Sequence, residues 1–246
     1  MSTKEFQGKK ALVTGATSGI GRAIAVRLAE EGATVYVTGR RAELGKETVE
    51  LIEQAGGTGH FVVADVGDLD DVRKLVQEVG DVDVLVNNAG IFPFSPTPEQ
   101  SVETYDKVFD VNVRGTYFLT AALAPAMVAK GRGAIVNVSS VASQLGSPVG
   151  SVYHASKSAM DGLTRSWALE FGGSGVRVNS VAPGPIRTEA AVTQVGEVFE
   201  SFVEVVPVGR HGTAEEVAEA VLFVASDKAG FVNGAVLNVD GGLVVA

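Results

Sequence analysis

Residues 9–21 read KKALVTGATSGIG, and residues 22–30 continue RAIAVRLAE. Lys9 to Thr14 is a short apolar run closed by a glycine-rich turn, which predicts a buried strand, and the apolar positions after Arg22 recur at helical spacing. The unit is strand, glycine turn, helix. Glycines at 15, 19 and 21 permit a tight turn, let backbone approach a pyrophosphate and let the helix pack on the strand, with the helix N-terminus facing the phosphates. Ala33 to Thr38 supplies a second strand, the context that a dinucleotide-binding unit requires.

The alternation continues outward from there. Helices are expected over Glu43–Gln54 and Leu69–Val79, and strands over His60–Ala64 and Val82–Val86, which predicts a parallel sheet covered on both faces with right-handed crossovers. Asn87-Asn88-Ala89-Gly90 closes the fourth strand. A loop with Pro93, Pro96 and Pro98 leads to a helix that opens near Ser101 and runs toward Met127, with Gly115 and Pro125 as irregularities. Gly133–Ser139 is a fifth strand, Ser151–Phe171 a helix and Val176–Val181 a sixth strand running into Pro183 and Gly184. Residues Glu189–Val206 are read as a helical excursion. Thr213–Ala225 is a helix with Thr213 and Glu216 at capping-box spacing, and Val236–Val239 is the last strand. The reading is α/β: one doubly wound Rossmann-type domain over residues 1–246, with a seven-stranded parallel sheet and helices on both faces.

Composition narrows the function classes. The chain has 246 residues, no cysteine, three histidines and a formal net charge of −9. Disulfides, thiolate nucleophiles and Cys-ligated metals are excluded, and His60, His154 and His211 lack ligand spacing, so no metal site is expected. The negative balance argues against a nucleic-acid footprint. No apolar run reaches membrane-spanning length and the start at Met1 is too polar for a signal peptide, so a cytoplasmic protein without a membrane partner is expected.

Ser151-Val152-Tyr153-His154-Ala155-Ser156-Lys157 opens an apolar-periodic run, and on a helix its Tyr and Lys, four apart, share one face. An ammonium about 4 Å from a phenol, at an effective dielectric near 20, favours the phenolate by roughly 4 kcal/mol, on the order of three pKa units. The pair alone reads equally as two surface residues. With Thr14-Gly-Ala-Thr-Ser-Gly-Ile-Gly21, Asn87-Asn-Ala-Gly90, Asn112, Ser140, Tyr153-x-x-x-Lys157 and Pro183-Gly184 in this order, the chain resembles the short-chain dehydrogenase/reductase family in its single-domain form, over nearly its whole length.

The resemblance implies roles. Tyr153 would be the acid in carbonyl reduction and the base in alcohol oxidation, and Ser140 would hold the substrate oxygen, leaving Ser139 as a strand-end hydroxyl. Lys157 would lower the tyrosine pKa and bind nicotinamide ribose hydroxyls, and Asn112 would hold a water relaying protons from it. Gly15, Ser18, Ile20 and Gly21 would serve the pyrophosphate, Asp65 and Val66 the adenine, Asn88, Ala89 and Gly90 the ribose region, and Pro183, Gly184, Ile186 and Thr188 the nicotinamide side. Asp65 reads equally as an acid near the next helix cap, and Pro183-Gly184 as a turn. Beyond the second strand stand Gly39, Arg40 and Arg41 where enzymes using NAD carry an acid, which favours NADP(H) over NAD(H) through a 2′-phosphate contact to Arg40 and Arg41. Ser18 departs from the basic residue of some NADP members.

Three functions stay open on the sequence: a ketone/secondary-alcohol oxidoreductase acting on a small molecule, a 3-oxoacyl thioester reductase, and a non-enzymatic dinucleotide sensor. The second would dock an acidic carrier, for which Lys130 and Arg132 serve at one long helix while Phe171 to Gly175 offers nothing basic at the other. Substrate walls are expected from Phe92, Phe94, Leu145, Val192, Val195, Phe199 and Phe202, with Phe199 and Phe202 open to a core reading. The resemblance also implies a homotetramer whose long helices pack against a neighbour, with which the small face of Ala155, Ala159 and Gly162 is compatible, although these residues could instead pack on the sheet.

Overall fold

The computed structural model describes residues 4–246; residues 1–3 of the expected domain, with the Met1 end of the chain, lie outside the described residues. Seven parallel strands form one sheet: β1 (Lys10–Thr14), β2 (Thr34–Gly39), β3 (Thr58–Val63), β4 (Val84–Asn87), β5 (Gly133–Val138), β6 (Val176–Pro183) and β7 (Val236–Val239), in the order β3-β2-β1-β4-β5-β6-β7. Every connection between paired strands is a crossover, as parallel pairing demands. The order reverses between β1 and β4, where the chain after β1 goes one way and the chain after β4 the other. A crevice beyond the strands' carboxyl ends at such a switch point is where doubly wound folds take ligands.

Helices α1 (Gly19–Glu30), α2 (Ala42–Gln54), α3 (Leu69–Val79), α4 (Val102–Phe109), α5 (Thr116–Lys130), α6 (Ser151–Gly172), α7 (Glu189–Val195), α8 (Glu197–Ser201) and α9 (Ala214–Ala225) complete the chain. Strand side chains alternate between two cores, as a period of two requires. Ala11, Val13, Val84, Val86 and Val136 meet Ile24 and Leu28 of α1 and Val217 and Val221 of α9 on one face. Leu12, Leu85 and Ile135 meet Leu75 of α3, Leu119 and Met127 of α5 and Trp167 of α6 on the other.

Three expectations need correction. The helix predicted from Ser101 toward Met127 is α4 and α5 joined by a π turn over Asp110–Gly115. A side chain at Gly115 would meet the Val66 carbonyl oxygen at 1.8 Å, so the widened turn lies directly on the loop after β3. Pro125 sits inside α5, which continues through it to Lys130. The excursion at 189–206 is two short helices broken at Gly196, whose φ of 64° ends α7, followed by a 3₁₀ turn. The capping box at the head of α9 forms as expected, with Thr213 and Glu216 each accepting from the other's backbone N–H.

Candidate active site

The predicted site residues lie at the carboxyl ends of the strands. The glycine turn follows β1, Arg40 and Arg41 follow β2, Asp65 and Val66 follow β3, Asn88 to Gly90 follow β4, Ser140 follows β5, and Gly184 to Thr188 follow β6.

The turn is a cradle that side chains would fill. A Cβ on Gly15, at φ 64°, would stand 2.8 Å from the Ala89 Cα, and one on Gly21 would stand 2.4 Å from Asn88 Nδ2. Ser18 occupies the N-cap of α1 but makes no side-chain cap, and no acid stands in the first turn. The amide donors and positive end of this 12-residue helix are thus aimed into the crevice without a carboxylate to oppose an anion. This donor set fits a dinucleotide pyrophosphate. Across the crevice, Thr188 comes close enough that a Cβ on Gly19 would touch its methyl at 3.3 Å.

The Asn88 side chain ties the loop after β4 to the glycine turn. Its Nδ2 donates to the Thr14 carbonyl at 2.8 Å and the Gly15 carbonyl at 3.2 Å, while Thr14 Oγ1 accepts from the backbone N–H groups of Asn88 and Ala89 at 3.0 Å each. The side chain staples β4 to the glycine turn. Thr14 is its partner, a threonine directly before the first glycine whose role went unread in the sequence. Ile186 is likewise buried in the core and bridges Gly212, so it offers the crevice its backbone more than its side chain. A Cβ on Gly184 would meet the Asp240 Cα at 2.8 Å; that glycine lets two strand-end loops touch.

The two arginines after β2 diverge. Arg41 reaches back over the turn, donating to Ser18 Oγ at 2.6 Å and Thr17 Oγ1 at 3.0 Å. Arg40 is exposed and stands 3.5 Å from the Asp65 carboxylate, a loose, solvent-screened pair. Asp65 Oδ1 accepts from the Gly67 N–H at 2.9 Å, and the cap of α3 is Asp68 instead. Val66 is buried beside it.

At the other end of the crevice Tyr153 and Lys157 share the inner face of α6. Lys157 Nζ is 5.7 Å from the centre of the Tyr153 ring and donates to the Val138 carbonyl at 2.8 Å. Burial lowers the Lys157 pKa to about 8, with Asp161 opposing the fall. The phenol moves up: burial raises the Tyr153 pKa, and only a hydrogen bond with Ser140 works against it. The two groups share one face, as helix spacing requires, and loss of water is the main influence on the phenol. Ser140 Oγ also accepts from the Ala142 N–H at 3.1 Å, and Ser139 Oγ faces the Lys157 carbonyl at 3.4 Å as a buried strand-end hydroxyl.

Asn112, in the π turn, is buried and makes three side-chain hydrogen bonds. Its Nδ2 donates to the Ile91 carbonyl and to Ser156 Oγ, and its Oδ1 accepts from the Ile91 N–H. A backbone-mimicking clamp of this kind holds the loop after Gly90 against α6 and leaves one Oδ1 lone pair open to a water. Gly90 lies between Asn112 and Lys157: a Cβ there would sit 3.4 Å from Asn112 Oδ1 and 3.5 Å from Lys157 Nζ.

Of the expected walls, Phe92 stands edge-on to the Tyr153 ring at 6.1 Å and Phe94 edge-on to Phe92. Phe199 belongs to the core: it is buried and stacks on His211 at 4.2 Å. Among the described residues no helix is long and apolar enough to cross a membrane.

The family model described as enoyl-(acyl carrier protein) reductase matches residues 15–244. Two proteins of Thermotoga maritima are similar along the whole chain. One, named an uncharacterized oxidoreductase, is 44% identical over 96% of this chain and 98% of its own. The other, a 3-oxoacyl-(acyl-carrier-protein) reductase, is 40% identical over 98% and 99%. A solved short chain dehydrogenase/reductase family protein superposes with a TM-score of 0.93 at 50% identity, covering 98% of this chain and all of that one. A putative 2-deoxy-D-gluconate 3-dehydrogenase from Agrobacterium tumefaciens, solved with bound NADP, superposes at 0.92 with 38% identity over the full length of both.

Proposed function

The chain belongs to the short-chain dehydrogenase/reductase family and is an oxidoreductase, and on that premise we propose that it interconverts a ketone and a secondary alcohol of a small molecule with NADP(H). The observation that carries this reading is the meeting of Ser140, Tyr153 and Lys157 beside the glycine cradle, at the switch point of the sheet.

When bound, the nicotinamide supplies or accepts the hydride. The residues' part is protonic and electrostatic. A phenol whose pKa is raised by burial carries its proton at neutral pH, so Tyr153 has a proton to donate to a carbonyl oxygen. Ser140 Oγ holds that oxygen beside the phenol. The ammonium of Lys157 stabilises the phenolate left behind and offers its remaining donors to ribose hydroxyls. Asn112 keeps the 88–91 loop in place. Phe92 closes the apolar side of the cleft and excludes water.

Preference for NADP(H) is supported by the two arginines and the absence of a carboxylate at Gly39. A charge-assisted contact contributes roughly 1.5–3 kcal/mol, about ten- to a hundredfold in affinity. Adding an acid at Gly39 is a poor test, because a Cβ there would meet the Thr17 methyl at 2.7 Å. The pair Arg40→Leu with Arg41→Leu is cleaner. It should lower kcat/KM with NADPH about ten- to a hundredfold and leave the NADH value nearly unchanged; a wild type preferring NADH would contradict the reading.

The second reading, reduction of a 3-oxoacyl thioester, is favoured by the name of the 40% identical Thermotoga relative. Against it, Lys130 is already paired with Asp81 at 3.3 Å. We further propose self-association into a tetramer: Ala159 and Gly162 turn away from the sheet and line an outer groove with Phe109, Tyr117 and Phe118.

A further inference from the structure

Among the described residues, Lys157 and Asp161 are the only Lys, Arg, Asp or Glu side chains that are fully buried, at 5% and 6% exposure. They stand four apart on α6, so both lie on the same face of that helix. Asp161 Oδ1 is buried with no hydrogen-bond partner. A buried carboxylate left without donors is costly, and an opposite charge nearby is what makes it tolerable.

Other charges are poorly placed to serve. On α6 itself, His154 is held by the Leu145 carbonyl and Arg165 is exposed. The π turn brings Asp110 and Arg114, which pair with each other at 3.2 Å beside the outer groove, and the charged residues of α4, Glu103, Asp106 and Lys107, are exposed. β5 carries no charged residue; Arg177 of β6 is taken by the carbonyls of Val224, Ala225 and Ser226. The 141–143 turn brings none.

We propose that Asp161 is the counter-charge of Lys157, a positioning residue that keeps this side chain in its ammonium form at the Val138 carbonyl. The inference rests on the reading of Lys157 as a working ammonium. It predicts that Asp161→Asn, which keeps shape and removes charge, releases the Lys157 proton at lower pH. Carbonyl reduction, which needs that ammonium, then fails at lower pH than in the wild type.

The test is a pH titration of the cofactor-free protein carrying ε-¹³C lysine, with the Lys157 signal assigned by its loss in Lys157→Arg. The wild-type midpoint is expected at about 8. Asp161→Asn should lower it by about one pH unit, and Asp161→Glu should restore most of the difference. A folded Asp161→Asn variant with an unmoved midpoint would overturn the proposal. Should that variant not fold, γ-¹³C aspartate in the wild type decides: an Asp161 signal in the ionised position at neutral pH supports the proposal, and a protonated one overturns it. Because no substrate is present, an unmoved midpoint leaves the oxidoreductase reading standing. A moved midpoint with no turnover of any carbonyl does the reverse.

Discussion

Lys157 is held where its charge is least comfortable, and that has a consequence for stability. Its folded pKa of about 8 lies below the 10.5 of a free lysine, so the unfolded chain binds more protons between those values and stability rises with pH across that window. The upper limit of the gain is about 3 kcal/mol. Above pH 10 Tyr153 opposes it, since its raised pKa makes the unfolded chain lose that proton first. Urea melts of the wild type should thus strengthen from pH 8 toward 10, and Lys157→Met should flatten the trend; an equal slope in both would refute the assignment. The spacing of Tyr153 and Lys157 was legible because helix periodicity depends on sequence alone. That burial would raise the phenol's pKa was not, because the Val138 carbonyl and the surrounding walls arrive from β5 and the loops.

The segment after β6 is built on a fixed hinge. Arg187 donates to both Glu200 oxygens at 2.8 and 2.7 Å and reaches the Phe199 ring, while His211 stacks on that ring, meets Arg187 Nη2 with its Nδ1 at 3.3 Å and bonds the Phe199 carbonyl at 2.9 Å. This clamp ties α8 to the loop that carries Thr188. Arg187→Ala should raise the KM for the carbonyl several-fold with the NADPH Kd nearly unchanged, and should speed proteolysis around Gly196; an unaltered KM would show that the clamp has no bearing on the substrate. Sequence periodicity revealed a helical excursion here but not its break, since a single glycine within a helical pattern is compatible with either outcome. Phe199 looked like a wall residue for the same reason: its stacking partner lies twelve positions away across a loop. The irregularity expected at Gly115 is present as a π turn over Asp110–Gly115, but its kind was not legible, because nothing in residue type separates a π turn from the α-helix around it.

At the scale of the molecule, the alternation of strands and helices left little choice of topology. Parallel strands need crossovers, crossovers are right-handed, and the glycine turn marks the first unit. What the pattern could not decide was which way the small residues of α6 face. Ala155 is exposed, Ala159 and Gly162 line a groove with exposed Tyr117 and Phe118, and a Cβ on Gly162 would meet nothing within 4 Å. That surface leaves room for a second α6, and light scattering after size exclusion should give a tetramer at micromolar concentration. A monomer would contradict it, and Gly162→Leu should split the assembly by filling the groove.

On the proposed function, Tyr153 supplies the proton for reduction of a carbonyl by NADPH in this cleft. NADPH oxidation measured against a panel of small ketones, oxo sugar acids and 3-oxoacyl thioesters, in wild type and Tyr153→Phe, tests it most directly. Turnover of at least one carbonyl by the wild type is expected, with less than about one per cent left in Tyr153→Phe and NADPH binding nearly unchanged. A Tyr153→Phe enzyme retaining most of its activity would contradict it.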